Sequence, residues 1–260
     1  MRSRPSRKGA PVPNPTQAFV RNYLLSKMPP EDFAILQPHL HAVPFTKDML
    51  VEENDAPFEH IFFPSTGVTS IMAITQAGDR VEAGLFGREG MSGMPILLGA
   101  DRSPLKTIIQ VPGEGYRMDV SALRDAIEQS PPLHAHLLKF CQAMAAQTAF
   151  TTLANVTHPV EVRLARWLLM VHDRTDGDDV NLTHEYMAVM LAVRRPSVTT
   201  ALHILEGNHF IKATRGIVTM RDRGGLEDFS DGSYGRPEAE YNRLIGAFFK
   251  RRASPGTAMT

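Results

Sequence analysis

The stretch from Leu133 to about Val156 contains neither glycine nor proline, and Pro131-Pro132 and His158-Pro159 bracket it. At a rise of about 1.5 Å per residue such a run makes one helix of roughly 36 Å. Inside it Leu133, Leu137, Phe140 and Met144 recur in alternating four- and three-residue steps, a helical seam. A second seam runs through Leu138, Cys141, Ala145 and Thr148. Ala143, Ala145, Ala146, Ala149 and Ala154 would let another helix come close, because a thin side-chain layer shortens the interaxial distance. The helix can therefore pack on its own domain or pair with a second copy. Its length, which would overhang a domain of this size, favours self-association.

The chain changes character on either side of this helix. From about Phe45 to Met118, short apolar runs (Ile61 to Phe63, Val68 to Ile74, Val81 to Phe86, Thr107 to Val111) alternate with turns at Asn54-Asp55, Ser65-Thr66-Gly67, Ala77-Gly78-Asp79 and Pro112-Gly113. That spacing predicts an all-β roll or sandwich. A helix capped by Asp119 or Ser121, carrying Leu123 and Ile127, is expected to end at Pro131-Pro132. Beyond His158-Pro159, Val162, Leu164, Ala165, Trp167, Leu168, Met170 and Val171 predict a further helix that ends at a polar loop, Asp173 to Asp179.

Composition narrows the function classes. With 260 residues, 28 Lys+Arg against 28 Asp+Glu and 43% hydrophobic residues, the chain is neither disordered, collagenous nor a coiled-coil rod. Its longest apolar runs fall far short of the roughly 20 residues that a membrane span needs. Cys141 is the sole cysteine, so no internal disulfide, zinc finger or Cys-ligated cluster forms within one chain, and a cytoplasmic location is expected. Arg2, Arg4, Arg7 and Lys8 lie in a segment without the apolar stretch of a secretory signal, read as a disordered arm.

Net charge is zero overall, yet residues 194–223 hold six Lys/Arg against two acids, a local excess of 6 − 2 = +4. Just upstream, Thr183 can cap a helix whose Met187, Met190 and Leu191 face inward. Ala188 is small where two helices cross, Ala192 leads into a tight turn, and Pro196 sits near the first turn of a second helix lined by Val198, Leu202 and Leu205. This is the helix-turn-helix pattern. Phe210 to Ala213 and Ile217 to Met220, joined by Thr214-Arg215-Gly216, then read as a two-stranded wing with a basic tip. The combination explains the local excess as phosphate neutralisation.

Taken in order, the β-roll with His60-Ile61-Phe62-Phe63-Pro64-Ser65-Thr66-Gly67, the segment Gly87-Arg88-Glu89-Gly90, the long helix, the Val162 to Val171 helix and the winged motif resemble the Crp/Fnr family of bacterial transcription regulators over roughly residues 30–225. The resemblance implies a homodimer paired through a parallel coiled coil, an N-terminal effector domain, and recognition helices entering successive major grooves. It places base-reading residues at Arg195, Pro196 and Thr200, with Arg194 and Ser197 flanking. Arg195 can pair bidentately with guanine, whereas Pro196 has no donor and offers only apolar contact, for instance to a thymine methyl. Thr199, Thr200 and His203 are candidates for base or phosphate contacts, and Thr183, Lys212 and Arg215 for phosphate contacts.

Family members that bind cyclic nucleotides hold the ribose through a Gly-Glu pair and the phosphate through an Arg-Ser pair. Arg102-Ser103 matches, but Pro104 follows, and the upstream segment reads Glu89-Gly90-Met91-Ser92-Gly93-Met94-Pro95. A cyclic nucleotide is therefore disfavoured against another effector or none, with Glu89, Gly90, Arg102 and Ser103 as the effector-site candidates. No metal site is expected: His39/His41 and His134/His136 lack a third ligand at suitable spacing and read as surface or core histidines. No catalytic constellation appears either. Gly90-Met91-Ser92-Gly93 falls one residue short of a nucleophile elbow, and Glu31-Asp32, Glu52-Glu53 and Asp178-Asp179 read as solvated turns. Cys141, mid-helix among apolar residues, reads as inert.

The expected organisation is α+β: a basic arm and first helix (1–30), a jelly-roll-like β-roll effector domain (31–132), a central dimerisation helix (133–157), a winged helix-turn-helix (158–225), and an extension (226–260). The extension carries Tyr241, Leu244, Ile245, Phe248 and Phe249 at helical spacing before Lys250-Arg251-Arg252, for docking in cis on the winged domain or on a partner. The expected function is sequence-specific, dimeric regulation of transcription, controlled allosterically through the roll. Double-stranded DNA and a second copy are the partners, RNA polymerase is a further candidate, and no membrane is involved. The alternative is a constitutive DNA-binding protein whose roll is a protein-interaction scaffold without a small-molecule ligand.

Overall fold

The structure, a computed structural model, describes residues 15–249. Arg2, Arg4, Arg7, Lys8 and Lys250-Arg251-Arg252 lie outside them. Two short helices, α1 (Tyr23–Ser26) and α2 (Pro30–Leu36), precede strands β1 (His41–Phe45), β2 (Leu50–Glu52), β3 (His60–Pro64), β4 (Val68–Ile74) and β5 (Arg80–Phe86). A one-turn helix α3 (Met94–Leu97), strands β6 (Lys106–Val111) and β7 (Gly113–Asp119), α4 (Val120–Gln129) and the long α5 (Pro131–Thr157) follow. The remainder comprises α6 (Val160–Arg174), β8 (Asp179–Asn181), α7 (His184–Met190), α8 (Arg195–Gly207), β9 (Ile211–Thr214), β10 (Ile217–Met220), α9 (Arg223–Phe229) and α10 (Arg236–Leu244).

Two antiparallel sheets, ordered β1-β7-β3 and β2-β6-β4-β5, make the roll. Strand alternation sorts its residues. On β3, Ile61 and Phe63 enter a large core with the N-terminal helices, α4 and α5, while Phe62 meets Phe45 and Ile109 between the sheets. The strands begin at His41, earlier than the Phe45 expected from the apolar runs, because β1 presents mostly exposed residues and carries no hydrophobic signal.

Helix α5 starts at Pro131 rather than after Pro132. Ser130 caps it, its hydroxyl accepting from Leu133 N (3.2 Å), and both prolines occupy the first turn, where a missing N–H leaves no bond unmade. The seam Leu133, Leu137, Phe140 and Met144 is buried against the roll. Two glycines admit it: a Cβ on Gly90 would lie 2.3 Å from the Phe140 ring, and one on Gly84 would lie 3.0 Å from Gln147 Oε1. Gln147 Oε1 also accepts from Leu85 N (2.8 Å), tying the helix to β5. The other side of α5 is open: Ala145 and Ala149 are exposed, as are Leu153 (50%) and Val156 (81%) near its end.

Helices α6 to α8 do not stand apart from the roll. Val68, Met72 and Leu85, on the outer face of the β4–β5 sheet, belong to the same core as Trp167, Leu168, Met187 and Val198. A polar seam is buried with them. Trp167 Nε1 donates to Glu82 Oε1 (2.7 Å), and Ser70 Oγ lies 2.6 Å from Glu82 Oε2 and 2.7 Å from Gln110 Oε1. Burial pushes the Glu82 carboxyl up to about 7. A protonated Glu82 donating to Ser70, which in turn donates to Gln110, satisfies each of these contacts.

At the far end of α6 the Arg174 guanidinium and the Glu89 carboxylate, each 1% exposed, pair at 2.7 Å. Glu89 Oε2 also accepts from Gly87 N, and Arg174 Nη1 donates to Met170 O. The C-terminal extension closes over this pair: Tyr241 OH donates to the Glu89 carbonyl (2.6 Å), and the Phe249 ring lies 5.2 Å from the guanidinium. Burial likewise pushes Asp173 up to about 6, where it accepts from Tyr234 OH and pairs with Arg223.

Several expectations need correction. Asp32 and Glu52 are buried rather than in solvated turns: Asp32 Oδ1 accepts from Ser130 Oγ, and Glu52 accepts from Gly93 N and Thr107 Oγ1. Asp173 and Arg174 are buried helix residues, not loop, because ion pairs offset the cost of their charges. The wing is three-stranded, in the order β8-β10-β9. The extension docks in cis on α5 and the roll core rather than on the winged domain, and α10 ends at Leu244, so Phe248 and Phe249 arrive by a bend. There Asn242 Oδ1 accepts from Phe248 N and Phe249 N, an interaction with no periodic signature.

These buried groups make stability testable in two ways. Glu89→Leu alone strands a buried guanidinium and should cost about 3–5 kcal/mol, whereas Glu89→Leu with Arg174→Met should cost less than either single change, as read by denaturant titration. Because the Glu82 carboxyl is held up to about 7 against an ordinary 4.5, the stability it supplies is complete below about pH 4.5 and is lost as pH rises through about 7. Melting temperature should therefore decline from pH 5 to pH 8, with Asp173 acting in the same direction, and Glu82→Gln should flatten the decline.

Candidate nucleic-acid interface

Thr183 caps α7, its hydroxyl accepting from Tyr186 N (3.2 Å), and Glu185 lies in the first turn, where the helix dipole favours an acid. The helix stops at Leu191. Ala192 then takes φ +50°, a left-handed conformation that a small side chain tolerates, and Val193 N donates to Ala188 O (2.9 Å) to close the turn. Arg194 is the extended residue before α8, and Pro196 occupies the first turn of that helix.

Helix α8 buries Val198, Ala201, Leu202 and Leu205 against α6 and α7, which turns the opposite stripe to solvent. Arg195, Pro196, Thr200 and His203 lie exposed on that stripe, with Ser197 and Thr199 half-buried beside it. Thr199 Oγ1 is 3.0 Å from His184 Nδ1, which joins the first turn of α7 to α8. Glu206 Oε1 accepts from Ala213 N (2.7 Å), fixing the wing to the end of the helix, and Leu182 N donates to Gly216 O at the wing's turn.

The result is an open cleft of about 770 Å³ between α8 and the wing. Of the residues singled out from sequence, Thr183, Arg195, His203 and Arg215 line it. Lys212 is exposed on the neighbouring strand, and Arg194 borders a separate cleft beside the β4–β5 turn at Gly78, Asp79 and Arg80. His184 and Glu185 also line the main cleft and were not among the candidates. A signal for them existed in their place directly after the capping threonine. The Arg195 Nε–H donates to Glu185 Oε1 at 3.0 Å, both side chains being 64% exposed. Such a surface pair is worth at most about 1 kcal/mol, so it opens readily to a ligand.

The effector-site candidates are not assembled in this way. Glu89 is committed to Arg174, and Gly90 lies under the Phe140 ring. Arg102 is exposed and pairs with its neighbour Asp101, while Ser103 Oγ accepts from Leu105 N within its own turn. The first turn of α3, where an anion would find free N–H groups, already has the Glu52 carboxylate on Gly93 N. Among the described residues no group of three or more potential metal ligands occurs, and no helix is long and apolar enough to cross a membrane. His134 Nε2 lies 2.8 Å from Leu97 O and His136 Nε2 lies 3.0 Å from Leu24 O, and burial raises the Cys141 thiol to about 11, against thiolate chemistry.

Comparison with known proteins gives these features a context. Residues 162–229 match the family model of the Crp-like helix-turn-helix domain. FixK2 from Bradyrhizobium japonicum superposes with a TM-score of 0.62 at 16% identity, over 73% of this chain and 96% of that one. A Crp/Fnr-family transcriptional regulator from Thermus thermophilus gives 0.60 at 16% identity, over 74% and 100%. The c-di-GMP-responsive global regulator CLP of Xanthomonas campestris gives 0.58 at 16% identity, over 74% and 98%. No curated protein sequence matches the chain. With a Crp-like domain behind the cleft and the fold of these regulators around it, the chain is a DNA-binding transcription regulator of the Crp/Fnr type.

Proposed function

We propose that the protein acts in the cytoplasm as a homodimer that reads a two-fold symmetric site in double-stranded DNA through α8, with the roll controlling how the two reading heads are held. The observation that carries this reading is the cleft in which Arg195 and His203 on α8 face Thr183 and the basic wing tip Arg215. Arg195, Pro196 and Thr200 read bases, flanked by Ser197 and assisted by Thr199 and His203. Thr183, Arg194, Lys212 and Arg215 bind phosphates, which position the helix without carrying sequence information. RNA polymerase is the further partner a regulator of this type would engage, and we assign the chain no catalytic role.

The open side of α5 supports pairing. Ala145 and Ala149 are thin enough for close helix approach, and Leu153 and Val156 leave apolar surface in water unless a second copy covers it. Two copies joined there present two α8 helices, and half-sites centred roughly 34 Å apart would accept them. Control from the roll has a physical route: the Glu89–Arg174 pair and the Gln147–Leu85 bond link the roll to α6 and α5. A roll-bound effector or protein would bias their angle. The second reading, constitutive DNA binding with a ligand-free roll serving as a protein-interaction scaffold, draws support from the filled space between the sheets and from Glu52 on Gly93 N. Melting with cyclic AMP and c-di-GMP separates the two readings, since a ligand that binds only the folded state raises the midpoint.

Selection from genomic fragments at fixed salt should enrich a palindrome with half-sites one helical turn apart, and failure to enrich any sequence would sink the reading. Arg195→Ala should lower affinity for the selected site by about tenfold or more while sparing random DNA, whereas Arg215→Ala should weaken both and flatten the salt dependence. Ala149→Glu places a charge in the pairing face. It should shift the protein to monomers in sedimentation and abolish preference for the full palindrome over a half-site.

A further inference from the structure

A base-reading arginine discriminates only if its guanidinium is presented at a fixed angle, and a long exposed side chain loses entropy when it is held there. On α8 nothing beside Arg195 can hold it: Pro196 has no donor or acceptor side chain, and Thr199 Oγ1 is bonded to the Arg195 carbonyl and lies against His184. The partner comes from the other helix. Glu185 Oε1 accepts from Arg195 Nε at 3.0 Å, and the His184–Thr199 contact at 3.0 Å pins the same turn of α7 against α8. A bond at Nε leaves both terminal amino groups of the guanidinium free, the pair that can address O6 and N7 of one guanine.

We propose that Glu185 is a positioning residue for base recognition, holding the Arg195 guanidinium by Nε so that its two terminal amino groups meet a guanine edge in double-stranded DNA. The inference rests on the reading of the α8–wing cleft as the DNA interface. It also accounts for an acid in a cleft meant for a polyanion. A free carboxylate there repels phosphate, whereas one paired with Arg195 is neutralised and spends its charge on orientation.

Charge and geometry separate in two variants. Glu185→Gln removes the charge but keeps an acceptor oxygen for Nε, and Glu185→Ala removes both. Full-length wild type, each variant, and each combined with Arg195→Ala are put through position-resolved selection on a randomised palindrome, with affinity for random duplex measured beside it. The expected result is a loss of preference at one guanine per half-site of about fivefold or more in Glu185→Ala. Glu185→Gln should keep that preference to within about twofold, and other positions should not change. Both variants should bind random duplex equally, and the Ala–Gln difference should vanish once Arg195 is Ala. Equal preferences in Gln and Ala overturn the proposal, since Glu185 would then set only the charge of the cleft. A wild-type protein that enriches no site overturns the DNA reading itself, and this inference with it.

Discussion

Two opposite charges at 2.7 Å, each almost wholly removed from water, hold this molecule in its arrangement: the carboxylate of Glu89 from the roll and the guanidinium of Arg174 from the end of α6. Desolvating either alone would be prohibitive, so each requires the other in place. Glu89 fixes the segment between β5 and α3, and Arg174 fixes the helix behind the DNA-reading pair. Tyr241 and Phe249 seal the site, so the C-terminal extension serves to keep water from the pair. The family match ends at residue 229, and the sealing residues lie beyond it. The clasp is thus an addition to the shared domain.

The surface that the clasp brings together is mixed in chemistry. Val68, Met72 and Leu85 supply apolar area to the core behind α8. Between them sit Ser70, Glu82 and Gln110, and Gln110 Nε2 has no partner. Burying an unpaired amide group costs about 1–3 kcal/mol, a cost that separation would recover. The roll core has another balance, with Leu133, Leu137 and Phe140 buried beside Ile61 and Phe63. The roll and α5 therefore form the rigid part of the molecule, and the contact between the sheet and the reading helices is the part a bound effector, a protein or a change of pH can shift.

Much of this was legible in residue order. Periodicity marked α5, the buried seam and the two helices of the reading motif, since apolar spacing reports directly on which face a helix buries. The cap at Thr183, the turn at Ala192 and the wing tip at Thr214-Arg215-Gly216 were visible through local backbone chemistry. What escaped was whatever depended on a distant partner. Asp32, Glu52, Asp173 and Arg174 read as surface because their type is polar, and they are buried because Ser130, Thr107, Arg223 and Glu89 reach them from elsewhere in the chain. Glu185 was passed over for the same reason, its importance lying in a bond to Arg195 across the turn.

By itself the sequence determined the order of elements, the α+β class and the motif that reads DNA, because each rests on spacing within a few residues and on propensities that act locally. Only the tertiary structure decided which acids are buried and that the helix-turn-helix lies on its own roll. It also decided that the extension closes over an ion pair, and which candidate residues share a cleft. Those outcomes are set by pairings between residues as much as 152 positions apart, as Tyr241 and Glu89 are, and no local pattern encodes the meeting of two such groups.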